Sequence, residues 1–226
     1  MGTAIFTNAW INRSDTILFS GGTPPNSAKF YLCLANTSSL GRANTIADFV
    51  SAELLPVNGY SRVSVTLTAG TYNPTNQRDE LPTPSANFTA SGGTLAWQTA
   101  FLLADASSQA SQSFTNSNIS GSVITINSHG FSNGDQLVFT ADTLSTLPSG
   151  LTAGTLYTVT SATTNTFQLS GVSAIGAGSG TFRARSANGT PVALMIETSP
   201  ITLLNGQPYN YLIPIVGMNA GYTNGV

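Results

Sequence analysis

Side chains capable of acid–base, nucleophilic or metal chemistry are sparse in this chain, and their spacing works against catalysis. The one histidine, His129, lies in Ser128-His129-Gly130-Phe131, and neither a second histidine nor a cysteine is placed to complete a tetrahedral metal set with it. A Ser-His-Asp or Cys-His arrangement would have to use this same residue as its base. The one cysteine, Cys33, sits far from it in Phe30-Tyr31-Leu32-Cys33-Leu34-Ala35, where a free thiol reads as a buried structural residue. A glycosidase needs two carboxylates about 5 to 9.5 Å apart. Asp79 and Glu80 are adjacent and diverge in an extended chain, while Asp135 follows a turn glycine whose local chemistry explains it. Gly176-Ala177-Gly178-Ser179-Gly180 lacks the helix and lysine that make a phosphate cradle, so it reads as a hairpin. Trp10, Trp97, Tyr60 and Tyr72 have faces that stack on sugars, but Trp97 lies in a core-type strand and Trp10 in an apolar arm, which points to packing. The sequons Asn87-Phe88-Thr89 and Asn188-Gly189-Thr190 matter only in a glycosylating pathway. The expectation is a protein with no catalytic, cofactor-binding or metal-binding residues.

The elements that would position such groups are β-strands. Charged residues are 7% of the chain against roughly 25% in an ordinary soluble domain, so Ser, Thr, Asn, Gln and Gly must supply the wetted surface. These side chains compete for backbone hydrogen bonds or branch at Cβ, and both habits favour turns and strands over helices. With 7 basic and 9 acidic residues and a net charge of −2, the chain has no cationic footprint for nucleic acid. It also lacks an apolar run of about 18 residues and the basic-then-apolar start of a signal peptide. We therefore expect neither nucleic acid nor membrane as a partner, and synthesis in a cytoplasm.

Along the chain, Ile5, Phe6, Ala9, Trp10, Ile17, Leu18 and Phe19 have partly helical spacing that Gly21-Gly22-Thr23-Pro24-Pro25 ends, predicting a short helix or docking arm within residues 1–27. A strand over Lys29 to Ala35 and a single helical turn around Ile46 to Val50 follow. In Tyr60 to Leu67, Val63, Val65 and Leu67 alternate with Arg62, Ser64 and Thr66, the pattern of a strand with one solvated face. Thr94 to Ala104 reads as a central buried strand. Two polar seams, Asp105 to Gln112 and Arg185-Ser186-Ala187-Asn188-Gly189, bracket a stretch of short strands at Val123 to Asn127, Gln136 to Thr140, Leu156 to Ser161, Thr166 to Leu169 and Thr181 to Arg183. Pro191 to Glu197 is the next strand; Pro200 to Leu204, Asn205-Gly206 and Tyr209 to Val216 read as a closing hairpin, and Gly217 to Val226 as a tail. A sandwich needs roughly seven strands, which neither flank supplies alone. The expectation is an all-β chain: a β-sandwich from residues 1–110 with 187–226, and an inserted small β-barrel or sandwich from 111–186.

Two stretches resemble known families. Ser128-His129-Gly130-Phe131-Ser132-Asn133-Gly134-Asp135-Gln136-Leu137-Val138-Phe139, with Leu147-Pro148-Ser149-Gly150-Leu151, Tyr157-Thr158-Val159 and Asn165-Thr166-Phe167-Gln168-Leu169-Ser170, resembles a small β-module inserted in phage virion proteins. The module takes its name from the first catalytic cysteine half-domain of ubiquitin-activating enzyme, and the name implies no chemistry here. More loosely, Phe30 to Ala35, Gly59-Tyr60-Ser61-Arg62, Ala96 to Ala104 and Ala193 to Leu204 resemble a family of tailed-phage particle proteins described as tail, fibre or head-decoration components. This chain departs from that family by the interruption between Asp105 and Pro191.

The resemblance implies a non-enzymatic virion protein. Lacking the repeats or heptads of a fibre, it fits a capsid decoration or cement protein, a homotrimer on the outer head that binds the major capsid protein and copies of itself. The alternatives are a tail, baseplate or fibre-base component among other tail proteins, and an adhesin that binds host-surface glycan through Tyr157 and other aromatics of the inserted part. Candidate intersubunit or capsid contacts are Ile5, Phe6, Trp10, Ile17 and Phe19 of the arm and Met218 and Tyr222 of the tail. The inserted part is expected to project outward and to be separable, so that deleting 113–184 leaves assembly intact.

Overall fold

The computed structural model describes residues 4–26, 29–67, 71–74, 78–80, 83–108 and 111–213. The chain runs β1 (Ala4–Phe6), α1 (Asn8–Ser20), β2 (Phe30–Ala35), α2 (Ile46–Ala52), β3 (Val63–Val65), β4 (Thr71–Asn73), β5 (Arg78–Glu80), β6 (Ser85–Thr89), β7 (Leu95–Ala104) and β8 (Ser111–Phe114). It continues through β9 (Ile119–Ser120), β10 (Val123–Thr125), β11 (Gln136–Ala141), β12 (Tyr157–Thr160), β13 (Thr166–Leu169), β14 (Phe182–Ser186), β15 (Thr190–Leu203) and β16 (Pro208–Leu212). This is an all-β, sandwich-like fold with two helices among the described residues.

The helices are set by their ends. Thr7 caps α1 by accepting the Trp10 N–H at 3.1 Å, and Gly21 closes it at φ 70°, a left-handed conformation a Cβ disfavours. α2 opens with a capping box in which Thr45 and Asp48 bond each other's backbone N–H.

An antiparallel sheet in the order β1-β15-β7-β2-β3 forms one layer, and the β6–β16 pair lies against it. β7 is nearly all apolar because both of its faces are covered. Trp97, Ala100, Leu102 and Ala104 pack with Phe88, Tyr211 and Met195 in the sandwich core, while Phe101 and Leu103 pack with Cys33, Phe49 and Leu194 beneath α2. The inward phase changes across Gln98 and Thr99, where residues 197–200 of β15 stand against Gln98 alone. This bulge joins what the sequence pattern separates: Pro191 to Glu197 and Pro200 to Leu203 lie on one long strand.

A second sheet, in the order β8-β14-β11-β12-β13-β10-β9, draws every strand from residues 111–186. Its own core includes Phe114, Phe139, Phe167, Phe182, Leu137 and Val159.

Three expectations need correction. No closing hairpin forms: after the Asn205-Gly206 turn the chain changes layer, and β16 pairs with β6 in the register Tyr209↔Phe88, which places Tyr211 and Ile213 in the core. Arg62 is 4% exposed and so does not lie on a solvated face. Arg185 and Ser186, expected in a loose seam, are buried in β14, paired to β8 and β11.

Candidate functional site

The candidate contact residues divide sharply. β1 forms the sheet edge against β15, with Ile5 opposite Leu194. Thr7 N–H donates to Val192 O at 3.0 Å, and Asn8 N–H donates to Arg42 O at 2.8 Å. From α1, Arg13 donates to Thr190 Oγ1 at 2.9 Å and pairs with the Asp105 carboxylate. Burial alone would push the Asp105 carboxyl up, but the Asn26 N–H and the Arg13 guanidinium hold it below its usual range. The arm is thus stitched along its length. Phe6 and Trp10 are half-buried and pack against the chain's own core, where α1 faces β15. Ile17 is half-buried, Ile5 is exposed, and Phe19 projects with 83% of its surface free. Met218 and Tyr222 lie outside the described residues, as do the side chains of Tyr72, Asp79 and Glu80.

Where α2 ends, the two sheets meet around a buried carboxylate. Glu53 lies just past Ala52, held by Glu53 N–H to Phe49 O at 3.0 Å and by Leu54 N–H to Leu34 O at 2.8 Å. Its carboxylate accepts from Tyr60 Oη at 2.7 Å, Arg62 Nε at 2.9 Å and Arg62 Nη2 at 2.7 Å. Tyr60 Oη also accepts the Leu34 N–H at 3.2 Å. Across the seam, Arg62 Nη2 donates to Ser186 O at 2.8 Å, and Arg62 Nη1 to Ser107 O at 3.0 Å. From β14, Arg185 reaches the α2 end, donating to Ser51 O at 3.3 Å, Leu54 O at 3.2 Å and Glu53 O, with its Nη2 4.0 Å from the Glu53 carboxylate. Val138 of β11 completes the joint against Ala47, Val50 and Ala187.

The electrostatics follow from one anion facing two cations away from water. Burial pushes the Glu53 carboxyl up, but the Arg62 charge and hydrogen bonds, with Arg185 and Tyr60, outweigh it and hold the group below 4.5. Burial lowers the Arg185 guanidinium from its ordinary value, and Glu53 only partly offsets it. Burial raises Tyr60 and Cys33, and the Glu53 charge raises both further, so the phenol and thiol stay protonated. Sealed this way, the cluster can do no chemistry on a solute; what it does is fix one packing of the two sheets.

His129 lies in the other core, stacked on Phe131 at 5.3 Å and edge-on to Phe167 at 5.0 Å. The Phe131 N–H donates to its Nδ1 at 3.0 Å, so in the neutral ring Nε2 carries the proton and faces Thr166 O at 3.3 Å. Tyr157 is half-buried edge-on to Phe139 at 5.5 Å, and its Oη accepts the Thr152 N–H at 2.8 Å. Among the described residues, no three His, Cys, Asp or Glu side chains gather as metal donors, and no helix is long and apolar enough to cross a membrane.

Comparison with protein-family models, curated proteins and solved structures finds no match.

Sequence reasoning singled out Gly59-Tyr60-Ser61-Arg62 for its resemblance and missed its partners. Gly59 is required because, at φ 84°, a Cβ there would lie 2.4 Å from Thr89 O. Glu53 and Arg185 were legible only as a lone acid after an apolar helix and an alternating Arg183/Arg185 pair. The seam they build also changes the expectation of a separable insert. Deleting 113–184 would strip Val138 from Val50 and Ala47 and remove the strands that hold Arg185.

Proposed function

We propose that this chain is a non-enzymatic structural protein of a tailed-phage particle, a decoration or cement protein that binds the outer head surface as a homotrimer and stabilises the shell. The observation that carries the reading is the N-terminal arm. Short β1 and helix α1 are tied to the body by backbone bonds and the Arg13–Asp105 pair, yet present Phe19 and Ile5 to the outside. Exposed apolar side chains on a paired strand and a capped helix suit a permanent protein contact, because little ordering entropy is lost when the partner covers them. Support also comes from the reactive groups. Cys33, His129 and Glu53 are buried, and His129 and Glu53 have hydrogen-bonding roles inside the fold. The low charge leaves subunit contacts to apolar and backbone interactions, which persist at high salt.

The glycan reading drew on Tyr157 and other aromatics of the inserted part; the ring and hydroxyl of Tyr157 are engaged internally. The decisive experiment is to add purified protein to particles assembled without it and to locate the added density by electron microscopy. Density at three-fold or quasi-three-fold positions over the head is expected; density at the tail would replace this reading with a tail or baseplate component.

A further inference from the structure

The turn at one end of the β11–β14 ladder of the second sheet carries a residue that suits neither its backbone nor its surroundings. Asp142-Thr143-Leu144-Ser145 is a turn closed by Ser145 N–H to Asp142 O at 2.9 Å. Leu144 sits in it at φ 63° with 99% of its surface exposed. Left-handed backbone is unfavourable for any residue with a Cβ and is normally given to Gly, Asn or Asp. The other non-glycine residues found there among the described ones, Asn58, Asp105, Ser128 and Ser161, are all small and polar. Leu144 alone combines the strain with an apolar side chain in water, and almost none of that side chain touches this chain.

The turn is also held rigidly. The Asp142 carboxylate receives Arg183 Nε at 2.9 Å and Arg183 Nη2 at 2.8 Å. Asp142 N–H donates to Thr181 O at 3.0 Å, Ser145 Oγ accepts the Thr181 N–H at 3.0 Å, and Thr146 and Ser179 exchange backbone bonds at 2.9 and 3.0 Å. A strained conformation held by its surroundings, with no return inside the molecule, points to a use outside it.

We propose that Leu144 is a docking knob that enters a leucine-sized apolar pocket on the particle's shell protein, a contact that rests on the particle reading above. The chemistry around the knob selects a protein pocket. Its collar is Thr143, Ser145 and the mutually neutralised Asp142–Arg183 pair, with neither the cations nor the broad apolar face that a lipid surface would need. A single convex apolar side chain ringed by hydroxyls and one internally paired carboxylate and guanidinium has the form of an interface anchor, desolvated at the centre with a polar rim. The inserted part, expected to project outward, is then a second attachment point.

The test compares the full-length wild type with Leu144→Asn and Leu144→Met for binding to particles assembled without this protein, with thermal melts of each. Asn tolerates the left-handed turn and removes the apolar tip, so Leu144→Asn should melt no lower than wild type yet bind about tenfold or more weakly. Leu144→Met should bind within about threefold of wild type, because methionine keeps the apolar volume. Equal binding by wild type and Leu144→Asn would overturn the knob while leaving the particle reading standing. A lower melting point for Leu144→Asn would also overturn it, by showing that the leucine serves its own fold. If the wild type fails to bind, the particle reading falls and takes the shell-protein pocket with it.

Discussion

Glu53→Gln is the sharpest perturbation of the seam. The native carboxylate faces Arg62 through contacts of 2.9 and 2.7 Å, Tyr60 at 2.7 Å and Arg185 at 4.0 Å, with the Glu53 and Arg62 side chains fully buried. Glutamine keeps the volume but removes the only anion, and its amide NH2 must meet either the Arg62 or the Tyr60 donor. Removing one member of a buried pair costs about 3–5 kcal/mol, because the remaining charge stays desolvated. Against a total stability of about 5–15 kcal/mol this is a large loss. At about 2–4 °C per kcal/mol for a chain of this size, the melting point should fall by about 6–20 °C.

Urea unfolding followed by fluorescence of the buried Trp97 measures the loss, with pH as a second axis. Glu53 is held below 4.5 in the folded state, so its contribution is fully present above the unfolded-state value and is lost as pH falls through the folded one. Wild type should lose stability steeply below that range. Glu53→Gln should start lower and lack this component, keeping, among the described residues, the acid response of Asp48 and Asp105, which are also held low. A cost under about 1 kcal/mol, with an unchanged pH profile, would refute the reasoning by showing that water already reaches both guanidiniums.

Other expectations follow from the same geometry. Cys33, buried and pushed well above 9.0 first by desolvation and then by the Glu53 charge, should resist maleimide or disulfide reagents in the native protein and react on unfolding; fast native labelling would mean the α2 side of the sheet opens. His129→Ala should cost about 2–4 kcal/mol in a thermal or urea melt, combining a cavity with an orphaned Phe131 N–H, and a near-neutral result would remove the ring from its assigned role. Trp10→Ala should destabilise by about 2–3 kcal/mol, because the ring packs on the core. Phe19→Ser should stay within about 0.5 kcal/mol of wild type while weakening binding to particles, and equal binding would take Phe19 out of the contact.

Local pattern determined much of this protein. The low charge and the Thr- and Ser-rich composition specify strands. Thr166 to Leu169 forms the strand its alternation predicts, the expected Gln136 to Thr140 strand extends by one residue, and the helical spacing from Ala9 to Phe19 becomes α1 ended by Gly21, while Ile5 and Phe6, read in the same spacing, form the strand β1. The bracketed stretch 111–186 supplies a complete sheet and core, because each of its strands needs only neighbours within that stretch. What tertiary structure alone decided is every feature whose partner is distant in the chain. β16 follows a turn that signals a hairpin, yet joins β6, since only that register puts Tyr211 and Ile213 into the core. Arg62 alternates as if solvated, and Arg185 stands in a polar stretch, but both turn inward because Glu53 supplies a counter-charge there. An arginine's place in a strand reads as exposed until its counter-ion is known, and residues 53 and 185 meet only when both sheets have folded. Leu144 belongs with them: nothing in Asp142-Thr143-Leu144-Ser145 marks a left-handed turn, and the leucine's strain and exposure arise only once β11 and β14 have paired.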